Sequence, residues 1–449
     1  MLRNGKKWKE ICGGQLQQKS NRRRLSFLTK AACAGRQRQQ ASGCGSDQRW
    51  PRDALTQANQ FKIFNVVGAR PNMMKIAPIM AQMRRFAELQ PILVHTGQHY
   101  DFAMSQVFLD QLNMGEPEYH LQVGSGTHHW QTAEIMRSFG ELVQKHRPDM
   151  IVVAGDVNST AACAMVGAKE MIPVAHVEAG LRSFDRRMPE EINRIVTDSI
   201  ADLLFTTEAS ANENLHNEGV PADKIFFTGN VMIDSLKGIL EMARRSTILN
   251  RLNLAKRKYG VLTLHRPSNV DDREQLCTTL SAIAEIARKI PVIFPVHPRT
   301  AARAQELNIQ MRSWDGNTSI PEHGIWTMPP ASYIEFVALL DNSAVVITDS
   351  GGIQEETTYL GVPCLTYREN TERPVTVTHG TNRVVGTDAR NLIKEAIQVL
   401  EQSRSNRPAS PPLWDGHAAE RIVGAVRHTL LSKAGILGNY LNNGSVYFK

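Results

Sequence analysis

Residues 344–374, AVVITDSGGIQEETTYLGVPCLTYRENTERP, restrict the possible folds more than any other stretch of the chain. The β-branched run from Val345 to Thr348 predicts a buried strand, and Ile353, Thr357 and Leu360 recur on one face of a following helix. Gly361 ends that helix and Pro363 prevents its continuation. Between strand and helix stands Asp349-Ser350-Gly351-Gly352. A Ser-Gly-Gly turn at a helix start leaves backbone N–H groups without partners at the positive end of the dipole, which suits a phosphate. Glycine permits that phosphate to come close. Taken alone, the turn is more often an ordinary strand-to-helix connection. Glu355 and Glu356 just inside the helix, within reach of a ribose, and Arg373 in the next polar loop extend the pattern toward a nucleoside diphosphate.

The chain has 449 residues, enough for two domains with separate cores. No run of about 18 apolar residues occurs, so no membrane insertion is expected. The net charge of +8 is misleading, because residues 1–60 hold 13 Lys/Arg against 3 Asp/Glu and the remainder holds 39 against 41. The basic excess belongs to a leader that reads as a disordered tail, and no nucleic-acid partner is implied for the rest. The alternatives for this leader are an organellar transit peptide or an unrelated upstream extension; it has no apolar core of a secretion signal. None of the six cysteines forms a CxxC pair, which fits reduced thiols in a cytoplasmic protein.

From Phe61 onward, strands and helices alternate. FKIFNVV predicts a strand, residues 68–75 a loop carrying Arg70 and Lys75, and a helix follows with Pro78 in its first turn. A second strand, 92–95, leads to Gln98 and His99. Residues 149–178 read as a βαβ unit that brings Asp156 and Glu178 to one sheet edge, with Ser159 or Thr160 capping the helix. Paired carboxylates suit acid/base work. The plainer reading has Asp156 capping a helix and Glu178 pairing with Arg182. Pro189 opens a helix whose first turn holds Glu190 and Glu191, where dipole stabilisation alone accounts for them. The polar, basic residues 246–258 mark a boundary, after which strands tipped by His265-Arg266 and His297 begin a second βα series. Phe336 falls on the apolar face of the helix before the central strand. Two βα halves predict a cleft lined from both sides. Neither a P-loop nor a strand-linked G-x-G-x-x-G is present.

The motifs GARPNMMKIAPIM, TGQHYD, AGDVNSTAACA, HVEAGLRSFDRRMPEEINR, TGNVMID, LHRPSN, PVHPR, DSGGIQEE and RENTERP follow in order. From about Phe61 to Arg427 the chain resembles the non-hydrolysing UDP-N-acetylglucosamine 2-epimerases. The resemblance implies a GT-B fold, two Rossmann-like doubly wound domains facing a central cleft. Its expected boundaries are 61–230, 231–411 and a terminal helix over 412–432 that crosses back to the first domain, followed by a tail over 433–449. It implies reversible 2-epimerisation of UDP-N-acetylglucosamine to UDP-N-acetylmannosamine by anti elimination of UDP and re-addition to a 2-acetamidoglucal. No metal and no cofactor is called for, and a cytoplasmic homodimer serving bacterial surface polysaccharide supply is expected.

By motif match, Asp156, Glu178 and Glu190 are the acid/base carboxylates and His265 supports the departing diphosphate. Arg70, Lys75, Ser350, Gly351, Gly352 and Arg373 bind phosphates, Glu356 the ribose and Phe336 the uracil. Gln98 and His99 are candidates for a regulatory contact. Asn72 and Val375 stand where many members have Glu, and Tyr100-Asp101 differs from the corresponding segment of allosterically activated members. Alternatives are a 2-epimerase of a related UDP-2-acetamido sugar, a GT-B glycosyltransferase, or a nucleotide-sugar-binding regulator.

Overall fold

The computed structural model describes residues 60–98, 109, 111–309, 311–316, 319–402 and 410–435. The basic leader, His99, Tyr100-Asp101 and the last residues of the tail lie outside them, as does the side chain of Arg70.

Two all-parallel sheets form among the described residues. In the first, strands β1 (Phe61–Val67), β2 (Leu89–His95), β3 (Tyr119–His120), β4 (Met150–Ala154), β5 (Val174–Ala179), β6 (Leu203–Thr206) and β7 (Ile225–Phe227) lie in the order β3-β2-β1-β4-β5-β6-β7. In the second, β8 (Gly260–Thr263), β9 (Val292–Pro295), β10 (Ile325–Met328), β11 (Val345–Thr348), β12 (Cys364–Thr366) and β13 (Asn382–Val384) lie in the order β10-β9-β8-β11-β12-β13. Both are the doubly wound order, which reverses direction between β1 and β4 and between β8 and β11. Every residue of β4 and β11 is buried, as strands covered by helices on both faces require. This is the GT-B architecture expected from the sequence.

The helices of the first half that bear on function are α1 (Arg70–Met83), α2 (His128–His146), α3 (Asn158–Lys169), α4 (Pro189–Ile200) and α5 (Ala209–Asn217). Then follow α6 (Val231–Arg244), α7 (Ile248–Leu252), α8 (Tyr333–Asn342), α9 (Gly351–Leu360) and α10 (Ala418–Lys433). Helix α1 begins at Arg70, not after Lys75 as expected, because Pro71 suits a first turn. Pro78 therefore lies inside the helix, where it deprives the Met74 carbonyl of its usual N–H partner. The Ser235 hydroxyl of α6 donates to that carbonyl instead. Ser159 and Thr160 do not cap α3, which starts one residue earlier at Asn158 after Val157.

The expected boundary at 246–258 contains α7, whose Ile248, Leu249 and Leu252 are buried. One contiguous apolar cluster runs from Ile63, Met73 and Met80 through Leu236 and Leu252 to Val261, Leu340 and Ile422, so α6 and α10 join the halves. Helix α10 docks by its first turn, where the N–H groups of Ala418 and Ala419 donate to the Asp234 carboxylate at 3.2 and 2.8 Å. Trp414, almost wholly buried, donates from Nε1 to the Thr207 carbonyl of the first half.

Candidate active site

Ligands of doubly wound sheets bind beyond the carboxyl ends of the strands at the reversal point. In the first sheet that edge carries the turn after β4, with Gly155 and Asp156, and the end of β5, with Glu178. In the second it carries His265 after β8 and Asp349-Ser350-Gly351 after β11.

Glu178 is the hub. Its backbone is left-handed, with φ +70°, where the β5–β6 register shifts between Val177 and Ala179. A non-glycine residue held there stores on the order of 1–3 kcal/mol of strain. Two buried cations hold it: Lys75 Nζ lies 2.7 Å from Oε2, and Arg373 Nη2 lies 3.1 Å from Oε1. The alternative pairing with Arg182 does not form, because Arg182 is engaged by Asp198 at 2.8 Å and Glu218 at 2.6 Å. Gly155 lies against Lys75: with φ +68°, a Cβ there would stand 2.8 Å from Lys75 Nζ.

Asp156 does not cap α3. One of its oxygens, Oδ2, accepts from Arg194 Nη2 at 2.6 Å and from Nε at 3.1 Å. Burial pushes the Asp156 pKa up, but the Arg194, Lys75 and Arg373 cations outweigh it and hold the carboxyl below its ordinary range. Arg194 is in turn held by Glu191 at 2.5 Å, whose carboxylate also accepts from Ser183 N–H and Oγ at 2.9 Å and Phe184 N–H at 3.0 Å. Glu191 is thus buried and clamps the loop before α4, beyond any interaction with the helix dipole. Glu190, half-buried beside it, makes no hydrogen bond or ion pair among the described residues, while its charge acts on Arg266 of the second half.

His265 Nδ1 lies 2.8 Å from Asp349 Oδ1. Asp349 is fully buried and its Oδ2 also accepts from the N–H groups of His265 and Arg266, at 3.0 and 2.9 Å, and from Asn269 Nδ2 at 3.1 Å. Burial pushes Asp349 up, and the hydrogen bond and charge of His265 bring it below its ordinary range. The carboxylate fixes Nδ1 as the donor, leaving Nε2 of a side chain that is 41% exposed to meet a ligand.

At the start of α9 the two glycines differ. A Cβ on Gly351 would strike the Arg373 guanidinium, whereas a Cβ on Gly352 would have nothing within 4 Å. Gly351 therefore makes room for the Arg373 guanidinium, while the space beside Gly352, next to half-buried Ser350, is open. Arg373 and Lys75, expected as phosphate ligands, are engaged with carboxylates: Arg373 Nε meets Glu355 at 2.7 Å and Nη1 meets Glu372 at 2.6 Å, besides Glu178. Burial raises the Glu355 pKa, and nearby Glu178 adds to the effect. Glu372 is held well below its ordinary range because Arg373 and Arg368 outweigh burial.

Glu356 points away from this network. Its Oε1 accepts from the Tyr333 hydroxyl of α8 at 2.9 Å, and Phe336, on the same face of α8, is partly buried against the core. Gln98 is buried in the first half, where its Oε1 accepts from Ser159 N–H and Oγ at 3.1 and 2.7 Å. Among the described residues, no cluster of His, Cys, Asp and Glu is arranged to hold a metal ion.

The family model described as UDP-N-acetylglucosamine 2-epimerase matches residues 81–427. The chain belongs to the UDP-N-acetylglucosamine 2-epimerase family. It is 42% identical over 375 residues to a UDP-N-acetylglucosamine 2-epimerase homolog of Methanococcus maripaludis, covering 82% of this chain and 99% of that one. It is 40% identical over 341 residues to the UDP-2,3-diacetamido-2,3-dideoxy-D-glucuronate 2-epimerase of Pseudomonas aeruginosa, covering 75% and 91%. The crystal structure of Methanocaldococcus jannaschii UDP-GlcNAc 2-epimerase in complex with UDP-GlcNAc and UDP matches with a TM-score of 0.73 at 40% identity, covering 82% and 99%.

In this member of the 2-epimerase family, pattern reading missed Asp349 as the anchor of His265, Arg194 as the partner of Asp156, and Glu372 among four arginines. Asp349 had a signal, since a carboxylate at a strand end beside a Ser-Gly-Gly turn is within reach of a neighbouring strand tip. Arg194 had none, because Asp156 lies 38 residues away in the chain; Glu372 had one in its sequence neighbours Arg368 and Arg373, whereas Arg194 and Arg266 reach it from distant segments.

Proposed function

We propose that the chain interconverts UDP-N-acetylglucosamine and UDP-N-acetylmannosamine by elimination and re-addition of UDP. A carboxylate removes the C2 proton, the released electron pair forms the C1–C2 double bond, and the C1–O bond to UDP breaks. The 2-acetamidoglucal then receives UDP again at C1 and a proton at C2 on the opposite face. The carrying observation is Glu178, bound to Lys75 of the first half and Arg373 of the second, on one charge network with Asp156. Cleft chemistry is thereby joined to the helix start that would receive a diphosphate.

Asp156 and Glu178 are ready as bases or proton carriers, and Glu190 completes the set of three. The departing UDP meets the N-terminus of α9 at Ser350 and Gly352, with His265 Nε2 as a further donor when both ring nitrogens carry an N–H. Arg70, Lys75 and Arg373 supply positive charge; Glu356 and Phe336 flank the nucleoside side. Gln98 and His99 remain candidates for regulation by a second substrate molecule. A homodimer in the cytoplasm that feeds surface polysaccharide synthesis completes the proposal; among the described residues no helix is long and apolar enough to cross a membrane.

The test is incubation of purified protein with UDP-N-acetylglucosamine alone in D2O, followed by proton NMR. The 2-epimer carrying deuterium at C2 is expected, and product with the C2 proton fully retained would sink the elimination mechanism. Transfer only when an acceptor is added would indicate a glycosyltransferase. The identity to the Pseudomonas aeruginosa enzyme favours a second reading, a related UDP-2-acetamido sugar as substrate. Competition between the two UDP-sugars for turnover separates these readings.

A further inference from the structure

Behind the turn that carries Asp156 lies a histidine for which the proposed chemistry has no use. His176 on β5 is fully buried, with Nδ1 2.6 Å from Asp198 Oδ1 and Nε2 2.8 Å from the Gly155 carbonyl oxygen. Burial pushes Asp198 up, but His176 and Arg182 outweigh it and keep a carboxylate there. A carboxylate and a carbonyl oxygen both only accept, so both contacts are hydrogen bonds when each ring nitrogen carries its N–H. Asp198 is itself immobilised by Gly180 N–H at 3.0 Å and Arg182 at 2.8 Å.

The same turn is pinned one carbonyl at a time. Ala154 O accepts from Asn72 Nδ2 at 2.5 Å and Thr160 Oγ1 at 2.8 Å, Gly155 O from His176, and Asp156 O from Asn193 Nδ2 at 2.9 Å. Gly155 N–H donates to the Val177 carbonyl at 2.9 Å, so β5 holds both backbone polar groups of Gly155. We infer that His176 is a positioning residue whose Nε2–H holds the Gly155 carbonyl and thereby sets where the Asp156 carboxylate stands during proton transfer. The inference rests on the acid/base reading of Asp156.

Two substitutions divide the role. The amide of His176→Gln reaches as far as Nε2 and can still donate to Gly155, whereas that of His176→Asn reaches only as far as Nδ1 and can serve only Asp198. His176→Gln is expected to retain kcat within a few-fold. His176→Asn is expected to lose kcat on the order of 10²-fold, the penalty typical of a misplaced reacting group, with KM and UDP affinity unchanged. Equal kcat in the two variants, or a better Asn variant, would overturn the inference, because a purely structural partner of Asp198 predicts that order. Should either variant fail to bind UDP, nitrogen NMR of the 15N-histidine-labelled wild-type protein decides. A protonated, exchange-protected Nε2 is expected, and a bare Nε2 overturns the inference. An Asp156→Asn variant with full turnover would instead refute the reading of Asp156, leaving the NMR test of the Gly155 contact intact.

Discussion

Replacing Glu178 by Gln removes one negative charge from between two buried cations while keeping the side chain's volume. Lys75 and Arg373 are each 7% exposed and Glu178 3%, at 2.7 and 3.1 Å. Breaking a buried pair from one side costs about 3–5 kcal/mol, because the partner's charge remains without its counter-ion. Arg373 retains Glu355 and Glu372, whereas Lys75 forms its ion pair with Glu178 alone among the described residues. The loss should therefore come chiefly through Lys75 and amount to about 3 kcal/mol, the lower end of that range.

Denaturant unfolding measures this loss without ligand. Saturating UDP should then stabilise the variant more than the wild type, because the uncompensated positive charge strengthens anion binding; equal affinity would give both about 2.7 kcal/mol at a hundred times Kd. Turnover should fall on the order of 10²- to 10⁴-fold, since an amide cannot shuttle a proton. Wild-type stability in the variant would refute the energetic account of the Lys75–Glu178–Arg373 contact, and wild-type turnover would refute the proton-transfer role.

Further outcomes follow from other residues. Burial, with the Glu355 charge adding to it against the Ser210 hydrogen bond, raises Glu208 from 4.5 to about 7; an acid raised in the folded state adds stability below its unfolded pKa and loses it as pH rises to about 7. Glu208→Gln should flatten that fall between pH 4.5 and 7 by about 3 kcal/mol, as read from urea midpoints across pH. Ser235→Ala should destabilise by about 1–3 kcal/mol by leaving the buried Met74 carbonyl without a donor. Adding Pro78→Ala restores the N–H that the carbonyl lacks, so the double variant should recover stability, and strictly additive losses would contradict this. His265→Ala should weaken UDP binding about ten- to a hundred-fold by calorimetry, the equivalent of one charge-assisted hydrogen bond; unchanged affinity would exclude His265 from the diphosphate.

What could be read without coordinates was local. The β-branched run at 345–348, the Ser-Gly-Gly helix start and the stop at Gly361, left-handed at φ +68°, are encoded within one strand–helix unit. Repetition of such units implies parallel sheets, and the ordered motifs named the fold. The same logic placed Asp156, Glu178 and His265 at strand tips, because a tip is a matter of where an apolar run ends. It misplaces the start of α1: Pro78 lies inside the helix, where the donor missing for the Met74 carbonyl comes from Ser235, 161 positions on from Met74.

Partner choice belongs to tertiary structure. Nothing near Glu178 in the chain announces Arg373, 195 residues on, whereas the cation nearby in sequence, Arg182, pairs with Asp198 and Glu218 instead. Residue pattern sets which side chains reach an edge, but an ion pair depends on a few ångströms of separation fixed by the packing of α1, β5 and the loop after β12. Desolvation then decides which carboxylates stay ionised and which are raised, as Asp156 and Glu355 show within one network. The chain alone determined two doubly wound halves with chemistry at their strand ends; only their packing together decided which charges meet there, because the energy of a buried charge depends on neighbours that sequence distance does not reveal.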